Sequence, residues 1–318
     1  MQLSARQLAA AERVRARLLS GADRVEHAEC PCGQGDPVPL ADADRHGIPS
    51  PTVVCRTCGL VYVASRPDEQ ALRRFYNEDY FDLYASKSAM DAAALYDIQR
   101  RQGGGVADFV RRSGVPDPGR VFDVGCGTGG MLANYAERGA AIAGVDYSEQ
   151  LVAYGNSRLG AGTLAVGGIE ALQNKGQGDL VIASHLIEHV TDPVAWAMSL
   201  REFIAPEGHV YVLTPGLRTY TTRFDGLASQ LLNMHLFYFT LGTLSMVMAR
   251  AGFALVYGNE VVEAVYRRCA ELPNGAASSR GDPALASWLK RADRVRPVFG
   301  LLRPAHKLIV GMKNRMRV

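Results

Sequence analysis

The sequence predicts an α/β protein with a parallel sheet covered by helices, preceded by a small cysteine-rich module. Three observations carry this. Short β-rich runs alternate with amphipathic stretches from Arg120 onward. The last two runs are joined by only three residues, Gly258-Asn259-Glu260. Four of the six cysteines lie in two close pairs, Cys30/Cys32 and Cys55/Cys58. Alternation of strand and helix means a parallel sheet with helices on its faces. A three-residue joint is too short for a right-handed crossover, so the final pair must be antiparallel.

The expected strands are Val121–Val124, Ala141–Val145, Thr163–Val166, Leu180–Ala183 and Val210–Leu213, then the hairpin strands Ala254–Tyr257 and Val261–Tyr266. Helical stretches between them include Met131–Arg138, Val194–Ile204 and Leu241–Ala251. The whole is a Rossmann-like sheet of seven strands, five parallel plus the hairpin. Domain limits follow from composition: an N-terminal helix over 1–24, the cysteine module over 25–65, a helical linker over 66–118, the sheet domain over 119–268 and a basic tail over 269–318. Pro67-Asp68-Glu69 marks a helix start. Gly103-Gly104-Gly105 and Pro116-Asp117-Pro118-Gly119 are expected to break the chain, and Ala41-Asp42-Ala43-Asp44-Arg45 to be loop.

Bulk numbers exclude some classes. The chain is 47% hydrophobic and 21% charged with a formal charge of +3, the profile of a globular protein. Seven basic residues and no acid fall in 294–318, which leaves −4 for the remainder. A negative main body argues against a nucleic-acid groove. The tail itself reads either as a helix packed on the domain or as a basic amphipathic end, with Leu308, Ile309, Met312 and Met316 on one face, suited to an anionic membrane. No export signal is visible, so a cytoplasmic location is expected, with peripheral contact at the membrane's inner face through that tail. Gly226–Ala249 is uncharged, but its polar residues and Gly242 argue against a membrane span.

Residues 121–130, Val-Phe-Asp-Val-Gly-Cys-Gly-Thr-Gly-Gly, form a strand running into a glycine-rich turn and then a helix. Glycines there let the backbone turn sharply and approach a ligand. Gly125, Gly127 and Gly130 satisfy the dinucleotide fingerprint as well, so the turn alone leaves a dinucleotide and a purely structural turn open. Asp123 tips the reading. Its carboxylate suits the ammonium of the methionine part of S-adenosylmethionine (SAM), whereas beside a pyrophosphate it would repel. Gly129 adds room where that part would lie. Asp146, at the end of the second strand, suits both ribose hydroxyls of either cofactor.

After the fourth strand comes Ser184-His185-Leu186-Ile187-Glu188-His189. Carboxyl ends of central strands are where open α/β sheets hold ligands, so Ser184 and His185 are expected at the cofactor. Methyl transfer to a hydroxyl requires removal of its proton, and a histidine suits that at neutral pH. His189 is the expected general base, with Glu188 orienting; the alternative is a structural histidine. His185, Glu188 and His189 have i, i+3, i+4 spacing and would share a helical face. With His235 they could hold a divalent metal, a softer ion than Mg2+ given three imidazoles. The paired cysteines Cys30, Cys32, Cys55 and Cys58 suit a tetrahedral structural zinc, with chance clustering and redox chemistry as alternatives.

Residues 122–129 resemble motif I of class I SAM-dependent methyltransferases, and Gly144-Val145-Asp146-Tyr147-Ser148 resembles the acidic loop that follows. The resemblance implies that Asp123, Gly125, Gly127, Gly129 and Asp146 bind the cofactor, that Tyr147 flanks the adenosine and that Ile169 lies beside the adenine. The His185/Glu188/His189/His235 pattern is similar to the metal-binding set of plant small-RNA 2′-O-methyltransferases and ubiquinone-pathway O-methyltransferases. Cys55-Arg-Thr-Cys-Gly-Leu-Val-Tyr and Phe75-Tyr-Asn-Glu-Asp-Tyr-Phe81 resemble bacterial sugar and polysaccharide methyltransferases. That likeness implies that the N-terminal part helps bind a glycan or sugar nucleotide and that the aromatic run lies over the cofactor. Sugar C-methyltransferases of that group carry a further large C-terminal domain. The short stretch here after the hairpin leads to O-methylation of a sugar hydroxyl as the expected activity. A small non-sugar acceptor (quinol precursor or polyketide), an RNA acceptor and a non-catalytic adaptor follow in that order.

Overall fold

A computed structural model describes residues 3–84, 91–221, 230–270 and 281–289. The chain opens with α1 (Ala5–Ser20), whose first turn is closed by a reciprocal Ser4/Gln7 capping box. The cysteine region follows as β1 (Val25–His27), β2 (Pro37–Ala43), β3 (Pro49–Cys55), β4 (Val61–Val63) and β5 (Ser65–Pro67). Strands β2, β3 and β4 form an antiparallel meander. Ala41-Asp42-Ala43, expected as loop, is the end of β2. The strand lies at the sheet edge, where alternate residues face water and polar residues are tolerated. The turn starts only at Asp44.

The linker contains α2 (Glu69–Glu78), capped by Asp68 as expected, then α3 (Tyr80–Leu83) and α4 (Ala92–Arg112). Gly103-Gly104-Gly105 does not break the chain. It sits inside α4, and Gly103 is needed there for close packing: a Cβ would lie 2.7 Å from the Met131 backbone.

The second half runs β6 (Arg120–Val124), α5 (Gly130–Ala136), β7 (Ala141–Asp146), α6 (Glu149–Leu159), β8 (Leu164–Val166), a 3-10 helix (Ile169–Lys175), β9 (Gly178–Ser184), α7 (Pro193–Leu200), β10 (Ile204–Leu213), α8 (Leu217–Thr221), β11 (Phe237–Tyr238), α9 (Leu241–Arg250), β12 (Phe253–Gly258) and β13 (Glu263–Arg268). Seven of these strands make one sheet in the order β12-β13-β10-β9-β6-β7-β8. Strand β13 inserts antiparallel between β12 and β10, so β12 itself runs with the five parallel strands. The hairpin turn carries Val262 at φ 62, and β13 accordingly begins at Glu263, two residues later than the sequence suggests.

Alternation along the central strands divides the core. Phe122, Val181, Val210 and Val212 face one side with Leu60 and Tyr62 of the cysteine region. Val121, Leu180, Ile182 and Tyr211 face the other with Val106, Phe109 and Val110 of α4. Successive strand residues point to opposite faces, so both sides of this sheet are dry. The cysteine region is not a separate body: β11, from far along the chain, adds to β4 as the fourth strand of the β2–β4 sheet. Residues 281–289 return to it as well, with Asp282 N donating to Cys58 O at 2.7 Å and Leu285 and Leu289 buried against Val54 and Val61. Among the described residues no helix is long and apolar enough to cross a membrane. The basic stretch 294–318 and its expected helix lie outside the described residues.

Candidate active site

At the end of β6 the chain makes three left-handed turns, at Gly125 (φ 75), Gly127 (φ 55) and Gly129 (φ 71), before α5 begins. Side chains rarely adopt such angles, which is why this turn is built of glycine. Asp146, at the end of β7, accepts from Gly127 N at 2.8 Å through one oxygen and from Ser148 N at 2.9 Å through the other. It therefore shapes the loop at the position where a ribose is expected. Tyr147 beside it is 76% exposed, free to flank a ligand. Ile169 starts the 3-10 helix after β8 and is half-buried against the core.

Asp123 is buried beneath the loop, and burial pushes its carboxyl well above the usual range, with Asp146 adding to the effect. A cation would reverse that balance, and the ammonium of SAM is one. On the neighbouring strands, Ser184 Oγ and Thr214 Oγ1 are buried without a hydrogen-bond partner. Buried polar atoms normally have partners. These orphans line the carboxyl ends of β9 and β10, beside the β6/β9 crevice where the sheet order reverses. The residues present thus fit SAM: a buried carboxylate, a glycine turn and unspent hydroxyls at the switch point.

Sequence reasoning missed Gln99. From α4 its amide oxygen accepts from Thr128 N at 3.1 Å and from Thr128 Oγ at 2.6 Å, and its NH2 donates to Cys126 O at 3.0 Å. It clasps the outside of the glycine turn. A single glutamine on an amphipathic helix carries no motif by which it would be noticed.

Beyond the cofactor end lies a second cluster. His185 at the tip of β9 has φ 54, an unusual conformation for a residue with a side chain. Residues 187–189 then form a turn rather than the expected helix, because His189 N bonds Leu186 O. The shared helical face is therefore replaced by a tight turn. Glu188, His189 and His235 converge, with ligand atoms all within 4.8 Å of one another. His185 stands outside that group, half exposed, with Nδ1 3.4 Å from Glu188 Oε1.

His189 Nδ1 lies 3.0 Å from Met234 O and 2.9 Å from Tyr76 Oη. A carbonyl can only accept, so Nδ1 carries the proton and Nε2 holds the lone pair. Burial lowers the His189 pKa, against the pull of Glu188. Burial also lowers His235, to about 3, so both rings are neutral at pH 7. For Glu188 burial acts upward, but the His185 contact and, once they are protonated, the charges of His189 and His235 outweigh it and bring the carboxyl down to about 2. Both Glu188 oxygens are buried with no hydrogen-bond partner. Part of the aromatic run reaches this cluster: Tyr76 holds His189, and Phe75 is buried beside Met234.

The four paired cysteines meet. Cys30 Sγ and Cys58 Sγ are 3.5 Å apart, Cys32 Sγ and Cys55 Sγ 3.8 Å, and all four lie within 4.8 Å of one another. Zinc–sulfur bonds of about 2.3 Å at tetrahedral angles give sulfur–sulfur edges of about 3.8 Å. The contact between Cys30 and Cys58 lowers the Cys58 thiol and raises that of Cys30, so the pair favours one thiolate even without a metal.

Residues 96–257, just over half of the chain, match the methyltransferase domain family Methyltransf_23. The ubiquinone biosynthesis O-methyltransferase of Acinetobacter baumannii (strain AYE) is 36% identical over 104 residues, 30% of this chain and 43% of that protein. C-methyltransferase NovU of Streptomyces niveus is 27% identical over 228 residues, 68% of this chain and 50% of that protein. The chain spans half or less of the length of these curated relatives. Among solved structures, the 1,6-didemethyltoxoflavin-N1-methyltransferase of Burkholderia thailandensis covers 66% of this chain and 96% of its own at 17% identity and a TM-score of 0.46. With the family match over the same residues that carry the glycine turn, Asp146 and the Glu188-His189 pair, the chain belongs to the methyltransferase domain family.

Proposed function

We propose that the enzyme methylates the oxygen of a sugar hydroxyl, with His189 Nε2 as the base that takes its proton. The observation that carries this is the Met234 carbonyl at 3.0 Å from His189 Nδ1, which leaves Nε2 unprotonated beside a buried carboxylate. Bound SAM supplies an electrophilic methyl on its sulfonium. Asp123 would hold its ammonium and Asp146 its ribose. Glu188 stays ionised and stabilises the imidazolium formed when His189 accepts the proton. The sugar class rests on the resemblance of the cysteine and aromatic stretches to bacterial sugar methyltransferases, and the choice of oxygen on the likeness to the ubiquinone biosynthesis O-methyltransferase. Native mass spectrometry of the full chain with SAM and a panel of sugar nucleotides and glycans should show a 14-dalton gain on one acceptor. Gain only on quinol-type phenols would move the acceptor to that class.

A second reading has its own observation. The two unpartnered oxygens of buried Glu188, facing two neutral imidazoles, are a donor set for a divalent ion. Glu188, His189 and His235 would hold it, and it would lower the pKa of an acceptor hydroxyl. Loss of turnover with chelator and recovery with Mn2+ or Fe2+ would select this reading.

The cysteine cluster is read as one structural zinc. Elemental analysis should give about one zinc per chain, and Cys58→Ser should lose it, lowering the melting temperature while S-adenosylhomocysteine still binds. A folded, metal-free wild-type protein would refute it.

A further inference from the structure

We infer that Asp44, on the turn of the β2–β3 hairpin, is a positioning residue that sets His235 and Met234 against Glu188 and His189, making the cysteine region part of the catalytic apparatus. The inference rests on the reading of that cluster as the acceptor end. Asp44 is 6% exposed. One of its oxygens accepts from His46 N at 2.8 Å and Ile48 N at 2.9 Å, which closes its own hairpin. The other reaches across the chain and accepts from Asn233 N at 3.2 Å. Tyr84 Oη, 3.4 Å from the same oxygen, spends its proton on Asn233 Oδ1 at 2.6 Å.

Asn233 sits inside a tight turn, in which His235 N donates to Leu232 O at 3.0 Å. Fixing residue 233 therefore fixes both the Met234 carbonyl that sets the His189 tautomer and the His235 ring, whose centroid lies 4.8 Å from that of His189. The cysteine region grips the turn on both sides. Arg45 N donates to Leu231 O at 3.0 Å before it, and β11 pairs with β4 after it. Glu188 O, accepting from Leu236 N at 2.8 Å, is the third point of attachment. The turn that carries two members of the site is thus anchored chiefly by residues of the cysteine region.

Asp44→Asn tests this in the full-length protein. Asparagine keeps an oxygen for His46 and Ile48, so the hairpin closes, but it can turn an NH2 towards the Asn233 amide, where two donors repel. Small misplacement of a reacting group costs up to about 100-fold in rate, so kcat should fall about 10- to 100-fold. Zinc content and S-adenosylhomocysteine affinity should stay at wild-type values. In protein labelled with 15N-histidine, the ring signals of His235 and His189 should shift while His27 and His209 do not. Asp42→Asn, an exposed change on the same hairpin, should leave turnover unchanged. Wild-type kcat with unmoved His235 signals in Asp44→Asn would overturn the inference. Should that variant not fold, Tyr84→Phe removes only the hydroxyl that shares Asn233; it should shift the same signals with a smaller loss of kcat, and wild-type behaviour there overturns the inference equally. If His189→Ala retains turnover, the catalytic reading of the cluster fails by itself, and the His235 signal alone then measures the placement.

Discussion

The glycine-turn end and the histidine end of this candidate site, proposed to hold cofactor and acceptor, are held together over very different distances along the chain. Around the glycine turn, Asp146 meets Gly127 across 19 residues and Gln99 meets Thr128 across 29. At the acceptor end, Tyr76 meets His189 across 113 residues, Tyr84 meets Asn233 across 149 and Asp44 meets Asn233 across 189. The glycine turn itself is a strand–turn–helix unit whose hydrogen bonds fall between α4 and the start of α6. The other end exists only when the cysteine region, the aromatic helices and the 231–238 segment have docked. A common fold can therefore keep its cofactor site while its acceptor site is rebuilt from whatever packs against it.

The comparison can be broken most sharply at His189. His189→Ala should lower turnover by about 10²–10⁴ and leave S-adenosylhomocysteine affinity unchanged. In the wild type, burial holds the His189 pKa below the ordinary histidine value of about 6.5. The neutral base is then fully present above that pH, so kcat should be flat there and fall only as the pH drops below it. An intact rate in His189→Ala, or a kcat still rising well above pH 7, would remove His189 from the chemistry.

At the cofactor end the expected effect is on binding. Asp146→Ala loses ligand contacts and the Gly127 amide together, and hydrogen bonds to a charged group contribute about 1.5–3 kcal/mol, so affinity should drop about tenfold or more by calorimetry. Its kcat at saturating SAM should change little. A large kcat loss with intact affinity would show that the two ends are not separable.

Gln99→Ala should be the mildest. It removes neutral hydrogen bonds of about 1 kcal/mol each from the outside of the turn, so affinity should fall about fivefold. No change in calorimetry would mean that the glycine turn keeps its shape without α4.

Legibility in the sequence followed the same division. The glycine turn was readable because its residue types are dictated locally by backbone angles. Glu188-His189 was readable as a pair, but its helical face was not, since the His185 kink and the Leu186–His189 turn replace the helix. Gly103-Gly104-Gly105 read as a break because glycine disfavours helix; contact with Met131 reverses that preference. Asp44 read as loop filler because a polar residue in a turn has no distinguishing mark until its second oxygen finds Asn233.

By itself the sequence determined the α/β class, the hairpin that closes the sheet and the glycine turn after β6. Periodicity, φ > 0 positions and short spacings are local constraints, and they are written in consecutive residues. Tertiary structure alone decided that β13 inserts between β10 and β12, that β11 joins the cysteine region, and that Asp44, Tyr76 and Tyr84 serve the Glu188–His189–His235 cluster. These contacts join segments more than a hundred residues apart. They are set by which buried faces fit and which buried donors find acceptors, and that is a property of the packed chain rather than of any stretch of it.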